Sequence, residues 1–230
     1  MDMRWLEYTQ MLQEYARELA NAINMMMANA NRIRAWSIVT SDMSDQQKLD
    51  ISHEFVENLG VVSLGQPYAI KSRFAFAAGM LSHFANRSVD GADWIDDFPD
   101  KNLYLNDIEP YCVQWKKYRK LKLRIEEIAN RSFKEDTDDF RNSYNHGFPS
   151  RFLIGQVTTI KRHVSLGNKV YRVAIGAKDP LDLEHLANIL DAECAKCRKA
   201  FAAFQALVGE HIDVLTRAQN GDPITSGGHK

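Results

Sequence analysis

The sequence predicts a mainly α-helical domain that carries a small inserted β-hairpin. Apolar residues recur in steps of three and four near both ends of the chain, and only the region after Pro149 is rich in β-branched residues. With 230 residues, 45% hydrophobic and 26% charged, the chain has ordinary globular composition. We therefore expect a single domain over residues 1–220 and a disordered tail at 221–230, which is rich in Gly, Ser and Thr.

Three helices are predicted in the N-terminal part of the chain. Apolar or small residues recur at helical spacing from Trp5 to Ile33, which predicts a long first helix. Ser44 is suited to cap a second helix, which Gly60 is expected to end. Pro67 is expected to open the third helix, because proline is favoured at the first helical position.

The middle of the chain predicts a loop and then further helix. Residues 88–107 contain Gly and Pro without clear periodicity, which is typical of a loop with at most a short helical turn. A helix is expected to resume near Asp107, with Trp115, Tyr118 and Ile125 on one face. The acidic run Glu135–Asp139 is expected to form the first turn of the next helix, because carboxylates are favourable near a helix N-terminus.

The C-terminal part predicts the hairpin and a long closing helix. Val157–Val164 and Val170–Ile175 are strand-like, which places the inserted hairpin at about residues 156–176. Asp179 and Pro180 are suited to the N-cap and the first position of the last helix, whose heptad-like apolar steps continue to Leu215. The long first and last helices offer seams that could also bind a second copy, so we expect a homodimer.

Charge and composition exclude several classes of protein. Lys and Arg number 29 against 30 Asp and Glu, so any affinity for nucleic acid must come from local patches. No run of about 18 apolar residues and no basic leader followed by an apolar stretch is present, so we expect a cytoplasmic protein without membrane contact.

Cysteines and histidines outside the motif described next are expected to be structural. Cys194 and Cys197 form a Cys-x2-Cys pair, but no second pair or spaced histidine pair completes a zinc site, so we expect reduced, buried thiols and no metal or cofactor. The same expectation covers the isolated histidines His53, His83, His163, His185 and His211.

One short motif carries the functional prediction. Arg141-Asn142 is followed three residues later by His146, late in a helical region, and an aromatic residue, Phe148, lies two positions beyond the histidine. This segment resembles the Arg-polar-x3-to-5-His signature of the HEPN superfamily, which implies an up-and-down helical bundle with long first and last helices. The resemblance also implies a metal-independent endoribonuclease that acts as a homodimer.

The resemblance implies a role for each motif residue. His146 would be the general acid or base, and Arg141 would bind the phosphate through its planar fork of donors. On an ideal helix Arg141 and His146 lie about 140° apart, whereas Asn142 and His146 share one face. We therefore expect Asn142 to orient the imidazole or touch substrate, and Arg141 to reach around the helix or meet a histidine of a second subunit.

Family members paired with antitoxins often carry tyrosine two positions after the histidine. The chain has Phe148 there, so control by nucleotide modification of that hydroxyl is not implied. The alternative interpretation of the motif is structural: His146 would interact with the carbonyls at a helix end, and Arg141 would pair with the acidic run.

A second, basic run is a weaker candidate for RNA binding. Its cations alternate with Trp115 and Tyr118 on a predicted helix, which is compatible either with an RNA-backbone track or with a solvated helix face. The residues concerned are Lys116, Lys117, Arg119, Lys120 and Arg124.

Three functional hypotheses follow from these observations. The first is a HEPN-type endoribonuclease, as a toxin with an antitoxin partner or as a defence effector, that uses Arg141, Asn142 and His146. The second is a non-catalytic HEPN-like module that binds RNA or a nucleotide. The third is a structural helical dimer in which the motif has no catalytic role.

Overall fold

The computed structural model of the chain describes residues 3–99, 103–164 and 171–220, and at positions 3, 159–164 and 171–174 it describes the backbone alone. Most of these residues are helical, and a two-stranded antiparallel sheet lies before the long last helix in the chain. The helices are α1 (Met3–Thr40), α2 (Asp45–Ile51), α3 (Glu57–Asp90), α4 (Leu105–Cys112), α5 (Tyr118–Glu127), α6 (Arg131–Asp136), α7 (Phe140–His146) and α8 (Leu183–Asn220). The predicted mainly α fold with a small hairpin is therefore confirmed.

The helix that begins at Asp45 starts as predicted but does not end where predicted. The N–H of Gln47 donates to Ser44 Oγ at 3.4 Å and the N–H of Ser44 donates to Gln47 Oε1 at 3.0 Å, a reciprocal cap of the N-terminus. After Ile51 the chain continues through a π-helical turn, Ser52–Val56, directly into α3. The prediction that Gly60 ends this helix is wrong.

Gly60 lies inside α3 because an aromatic ring packs on its Cα. A Cβ at this position would lie 2.5 Å from Cζ of Phe152, whose exposed fraction is 2%. Glycine inside a helix costs about 1 kcal/mol relative to alanine, and burial of a phenylalanine side chain is worth about 1.5–3 kcal/mol. The helix therefore continues through the glycine, and Ser52 Oγ donates to the Phe152 carbonyl at 3.1 Å nearby.

Pro67 also lies inside α3 instead of opening a helix. Proline has no N–H for the carbonyl four residues earlier, a loss of about 3 kcal/mol in a helix interior. The residues that follow supply a stripe of buried side chains, including Ile70, Phe74 and Leu81, all at most 1% exposed. Burial of this face offsets the missing hydrogen bond, so the prediction of a separate third helix is wrong.

The helix predicted from Asp107 is two helices. The loop predicted over residues 88–107 is confirmed over residues 91–99 and 103–104, with a short 3-10 turn at Gly91–Asp93, whereas residues 88–90 belong to α3 and residues 105–107 to α4. α4 ends at Cys112 and α5 begins at Tyr118, and in between the N–H groups of Lys116 and Lys117 donate to the carboxylate of Glu210 at 3.0 and 2.9 Å. A carboxylate more than ninety residues away in the sequence stabilises this break, so local periodicity does not predict it.

The hairpin is confirmed and the start of the last helix is corrected. β1 (Val157–Val164) pairs with β2 (Tyr171–Lys178) in an antiparallel register, and the predicted turn between the strands lies outside the described residues. The N–H of His185 donates to Asp182 Oδ1 at 2.7 Å, so Asp182 caps α8. Asp179 instead accepts a hydrogen bond from Gln156 Nε2 at 2.7 Å, and Pro180 precedes the helix. The predicted N-cap and first-position proline are therefore wrong.

The described residues form two compact units. Unit 1 comprises the described residues within Met1–Met25, Gln66–Ala129 and Glu193–Lys230, and unit 2 comprises those within Met26–Gly65 and Asn130–Ala192. The core of unit 1 includes the buried side chains of Leu19, Phe74, Leu81, Ile108, Leu121 and Phe204, and that of unit 2 includes Met26, Ile33, Leu64, Phe133, Phe140 and Phe152. The single domain over 1–220 stays a prediction, and the predicted tail at 221–230 lies outside the described residues.

Among the residues that the structure describes, no helix is both long enough and apolar enough to cross a lipid bilayer.

Candidate active site

The motif Arg141-Asn142-x3-His146 lies on α7, a short helix of unit 2. Its first residue, Phe140, is 3% exposed and contacts the ring of Phe152 at a centroid distance of 5.1 Å. Tyr144 stacks on Phe140 at 5.9 Å with an interplanar angle of 18°. These aromatic contacts fix one side of α7 against the core of unit 2.

The acidic run before the motif does not form the first turn of α7. Glu135 and Asp136 belong to the end of α6, while Asp138 and Asp139 have positive φ angles of 53° and 46°. Asp139 is the N-cap residue of α7, but its side chain makes no capping hydrogen bond. The predicted acidic first turn is therefore wrong: two left-handed residues, a conformation that aspartate tolerates, end α6 and turn the chain into α7.

Polar contacts of Asp138, called the Asp138 clamp, join the two ends of the segment that carries the motif. Ser150 Oγ donates to Asp138 Oδ2 at 2.8 Å, and Lys178 Nζ lies 2.6 Å from the same oxygen. Ser150 is 4% exposed, so this end of the loop is buried. Residues 139–149, which include α7, therefore form a motif loop whose two ends are held together, and the last residue of β2 belongs to the same clamp.

The three motif residues are all solvent-exposed. His146 is the last residue of α7, and the Gly147 N–H donates to the Ser143 carbonyl at 2.9 Å directly beyond it. Asn142 and His146 lie four residues apart and share one side of the helix, whereas Arg141 lies on another. Among the described residues no hydrogen bond joins the Asn142 and His146 side chains, so the orienting role of Asn142 stays a prediction.

Two aromatic side chains accompany the motif at the surface. Phe148 is 83% exposed and Tyr144 is 52% exposed. A phenylalanine this exposed gains almost nothing from the hydrophobic effect in the single chain. α7 and the residues directly after it therefore carry an arginine, a histidine and two aromatic side chains at the surface.

The basic run lies in unit 1, and the two aromatic residues within it are buried and not exposed as an RNA-binding surface requires. Trp115 and Tyr118 are 4% and 3% exposed, so neither ring is available to stack on a base. Arg124 donates to both carboxylate oxygens of Glu127, at 2.8 and 3.0 Å. Lys116, Lys117, Arg119 and Lys120 are exposed. The prediction that Trp115 and Tyr118 take part in RNA binding is wrong. RNA binding by the four exposed cations stays a prediction.

The thiols lie in the core, as predicted. Cys194 and Cys197 are 1% and 0% exposed, and burial raises the pKa of Cys197. Cys112 is also buried, and burial raises its pKa to about 12. In the part of the chain that the structure describes, no group of three or more His, Cys, Asp or Glu side chains is placed to hold a metal ion.

His211 belongs to a buried polar network in unit 1. Its Nδ1 lies 2.8 Å from the Tyr8 hydroxyl and its Nε2 lies 3.4 Å from Ser82 Oγ, and the Trp115 ring packs against it at 4.3 Å. The imidazole is 0% exposed, and burial lowers its pKa to about 3. A neutral, inaccessible imidazole satisfied on both nitrogens has a structural role.

A charge asymmetry around the motif is a feature that motif searching overlooks. Residues 140–178 contain seven Lys and Arg and no Asp or Glu, while the rest of the chain has 22 basic and 30 acidic residues. This segment begins with α7 and ends with β2, and the Asp138 clamp joins the two. A window count of charge along the sequence would have found it, because the signal is the absence of acidic residues.

No protein-family model, curated protein or solved structure matches the chain.

Proposed function

We propose that the protein is a metal-independent endoribonuclease of HEPN type. The observation that carries the proposal is the exposure of His146, Asn142 and Arg141 on a short helix within residues 139–149, a segment whose flanking residues Asp138 and Ser150 are hydrogen-bonded to each other. A general acid or base must reach its substrate, and a positioned but exposed imidazole meets that requirement. The HEPN bundle and the cytoplasmic location are part of this proposal.

The reaction follows from the chemistry of RNA. The 2′-hydroxyl oxygen attacks the adjacent phosphorus while a base takes its proton, and the bond to the 5′ oxygen breaks as that oxygen receives a proton. The products are a 2′,3′-cyclic phosphate and a 5′-hydroxyl. Because RNA supplies the nucleophile, the protein must supply proton transfer and charge stabilisation, and no metal is obligatory. His146 transfers the proton, and Arg141 binds the phosphate oxygens through charge-assisted hydrogen bonds.

The active form is a homodimer. Arg141 and His146 lie on different sides of α7, so a second copy supplies the arginine or histidine that one copy does not direct at the same phosphate. Two histidines also provide one base and one acid for the two proton transfers. Roles as a toxin with an antitoxin partner, or as a defence effector, belong to the same proposal.

A non-catalytic RNA-binding module is the second candidate. The exposed Phe148 favours it, because an aromatic ring can stack on a base whether or not the RNA is cut. A structural helical dimer is the third outcome, in which the motif residues have no effect on RNA.

The test is cleavage of single-stranded RNA by purified protein in excess EDTA. His146→Ala and Arg141→Ala are expected to lose at least about a hundredfold in rate, the lower range for loss of a general acid or base. The matched controls are His53→Ala and Arg131→Ala, which remove an exposed histidine and an exposed arginine of unit 2 outside the motif. Binding without cleavage would favour the second candidate, and no interaction with RNA would favour the third.

A further inference from the structure

The β-hairpin has a basic side. Opposite residues in an antiparallel pair lie on the same face, and successive residues alternate between faces. The pairs Lys161↔Ala174 and His163↔Arg172 therefore share one face with Val157↔Lys178. The other face has Ile160↔Ile175 and Arg162↔Val173. Cationic register positions are thus concentrated on one face and apolar positions on the other.

The described base of the hairpin is open to solvent. Ile175, Gly176 and Ala177 are exposed, and Ile175 reaches 77%. Gly176 and Ile175 occupy opposite register faces, so neither face is covered at this point. A two-stranded hairpin has little stability of its own in water, and the described base of this one gains little from burial.

The hairpin is joined to the motif loop by the clamp. Lys178 contacts the Asp138 carboxylate, which also holds Ser150 at the end of the loop that carries His146. A chain bound along the hairpin as far as Lys178 would therefore reach the ends of the segment that carries the motif, within unit 2. The absence of acidic residues from 140 to 178 means that no carboxylate of this segment opposes a polyanion.

The basic run of unit 1 differs in this respect. Arg124 of this run pairs with Glu127 at 2.8 Å, and the neighbouring Lys122 pairs with Glu109 at 2.6 Å. The carboxylate of Glu210 lies against the backbone of Lys116 and Lys117. These carboxylates reduce the local positive potential, whereas residues 140–178 contain no Asp or Glu, so the hairpin segment is the better polyanion surface.

We propose that the basic face of the β-hairpin, with positions Lys161 and Arg172, binds the sugar-phosphate backbone of RNA and delivers it to the motif helix. This inference rests on the proposed ribonuclease function and names the surface that holds its substrate. Binding is sequence-independent, because phosphate contacts carry no base information, and it weakens steeply with salt.

The test measures binding separately from cleavage. The probe is a fluorescein-labelled single-stranded RNA whose 2′-hydroxyls are all methylated, which cannot be cut by 2′-hydroxyl attack, and the readout is anisotropy over a salt series. Lys161→Gln with Arg172→Gln is expected to weaken binding about tenfold and to reduce the slope of log K against log salt by about 1.4, two phosphate contacts at about 0.7 each. The matched control is Lys117→Gln with Arg119→Gln in unit 1, which removes the same charge and is expected to leave binding within about twofold.

Two further variants test which face of the hairpin binds RNA and whether the loss of binding in the Gln pair has a structural cause. Lys161→Gln alone should weaken binding more than Arg162→Gln, because residues 161 and 162 lie on opposite faces. The swap Lys161→Arg with Arg172→Lys keeps both charges and should bind as the wild type does. If the swap loses binding as the Gln pair does, the effect is structural and the proposal is overturned.

The remaining outcomes separate this inference from the proposed function. Unchanged binding in the hairpin pair, or a larger loss in the unit 1 pair, overturns the hairpin as the RNA surface even if unmodified RNA is cut. Binding through the hairpin without cleavage of unmodified RNA supports this inference and refutes the ribonuclease. A halved molecular mass of the hairpin pair in light scattering would instead assign the hairpin to self-association, which also overturns the proposal.

Discussion

Gly60→Ala tests how closely Phe152 packs on α3. The new methyl group would lie 2.5, 2.6 and 2.8 Å from three carbons of the Phe152 ring, far inside normal van der Waals contact. Overpacking of a core costs about 1–3 kcal/mol of unfolding free energy. Because three carbons of a ring that is only 2% exposed are overlapped, we expect a cost of about 3 kcal/mol for this change. Alanine regains about 1 kcal/mol of helix propensity. The net loss expected is about 2 kcal/mol of unfolding free energy.

Gly65→Ala is the matched control for this change. It lies in the same helix, and a Cβ there meets nothing within 4 Å, so only the helix propensity term operates and a gain of up to about 1 kcal/mol is expected. The two variants should therefore differ by about 3 kcal/mol in urea unfolding with an unchanged denaturant slope. Equal stability of the two variants would refute the packing of Phe152 on Gly60, and with it the anchoring of α7 through Phe140.

Two further predictions concern the clamp and the buried histidine. Asp138→Asn weakens the contacts with Ser150 and Lys178. It is expected to lower the unfolding free energy by about 1 kcal/mol and to speed amide hydrogen exchange in residues 139–149. The control Asp139→Asn removes no capping hydrogen bond and should have neither effect. Burial lowers the pKa of His211 to about 3, so below pH 6.5 only the unfolded chain takes up this proton. Its contribution to the unfolding free energy should fall by roughly 1.4 kcal/mol per pH unit from pH 6.5 down to about pH 3. An NMR titration of His211 with an ordinary midpoint would contradict its burial beside Tyr8.

Long amphipathic helices and the hairpin were predictable because their signal is local. Apolar periodicity from Trp5 to Ile33 and β-branched runs after Pro149 are sufficient to identify them. The helix that passes through Gly60 and Pro67 was not predictable, because the ring that packs on Gly60 comes from residue 152. Propensity alone favours a stop at these residues, and burial against distant parts of the chain overrides it.

The candidate site shows the same division. The motif spacing identified Arg141, Asn142 and His146, and the structure places all three at the surface of α7. The left-handed Asp138 and its contacts with Ser150 and Lys178 are tertiary features that no local pattern encodes. The prediction that Trp115 and Tyr118 stack on RNA bases is wrong. Helical spacing alone does not distinguish an exposed aromatic side chain that could stack on a base from one buried in the core.

The most direct test of the ribonuclease is the chemistry of the RNA ends formed in excess EDTA. Wild-type protein is expected to leave 2′,3′-cyclic phosphate and 5′-hydroxyl ends, and a single 2′-deoxy substitution at the cleaved nucleotide should abolish cutting there. His146→Ala should leave no such products while His53→Ala leaves them unchanged. Products with 3′-hydroxyl ends, or full activity in His146→Ala, would contradict the proposed role of the motif.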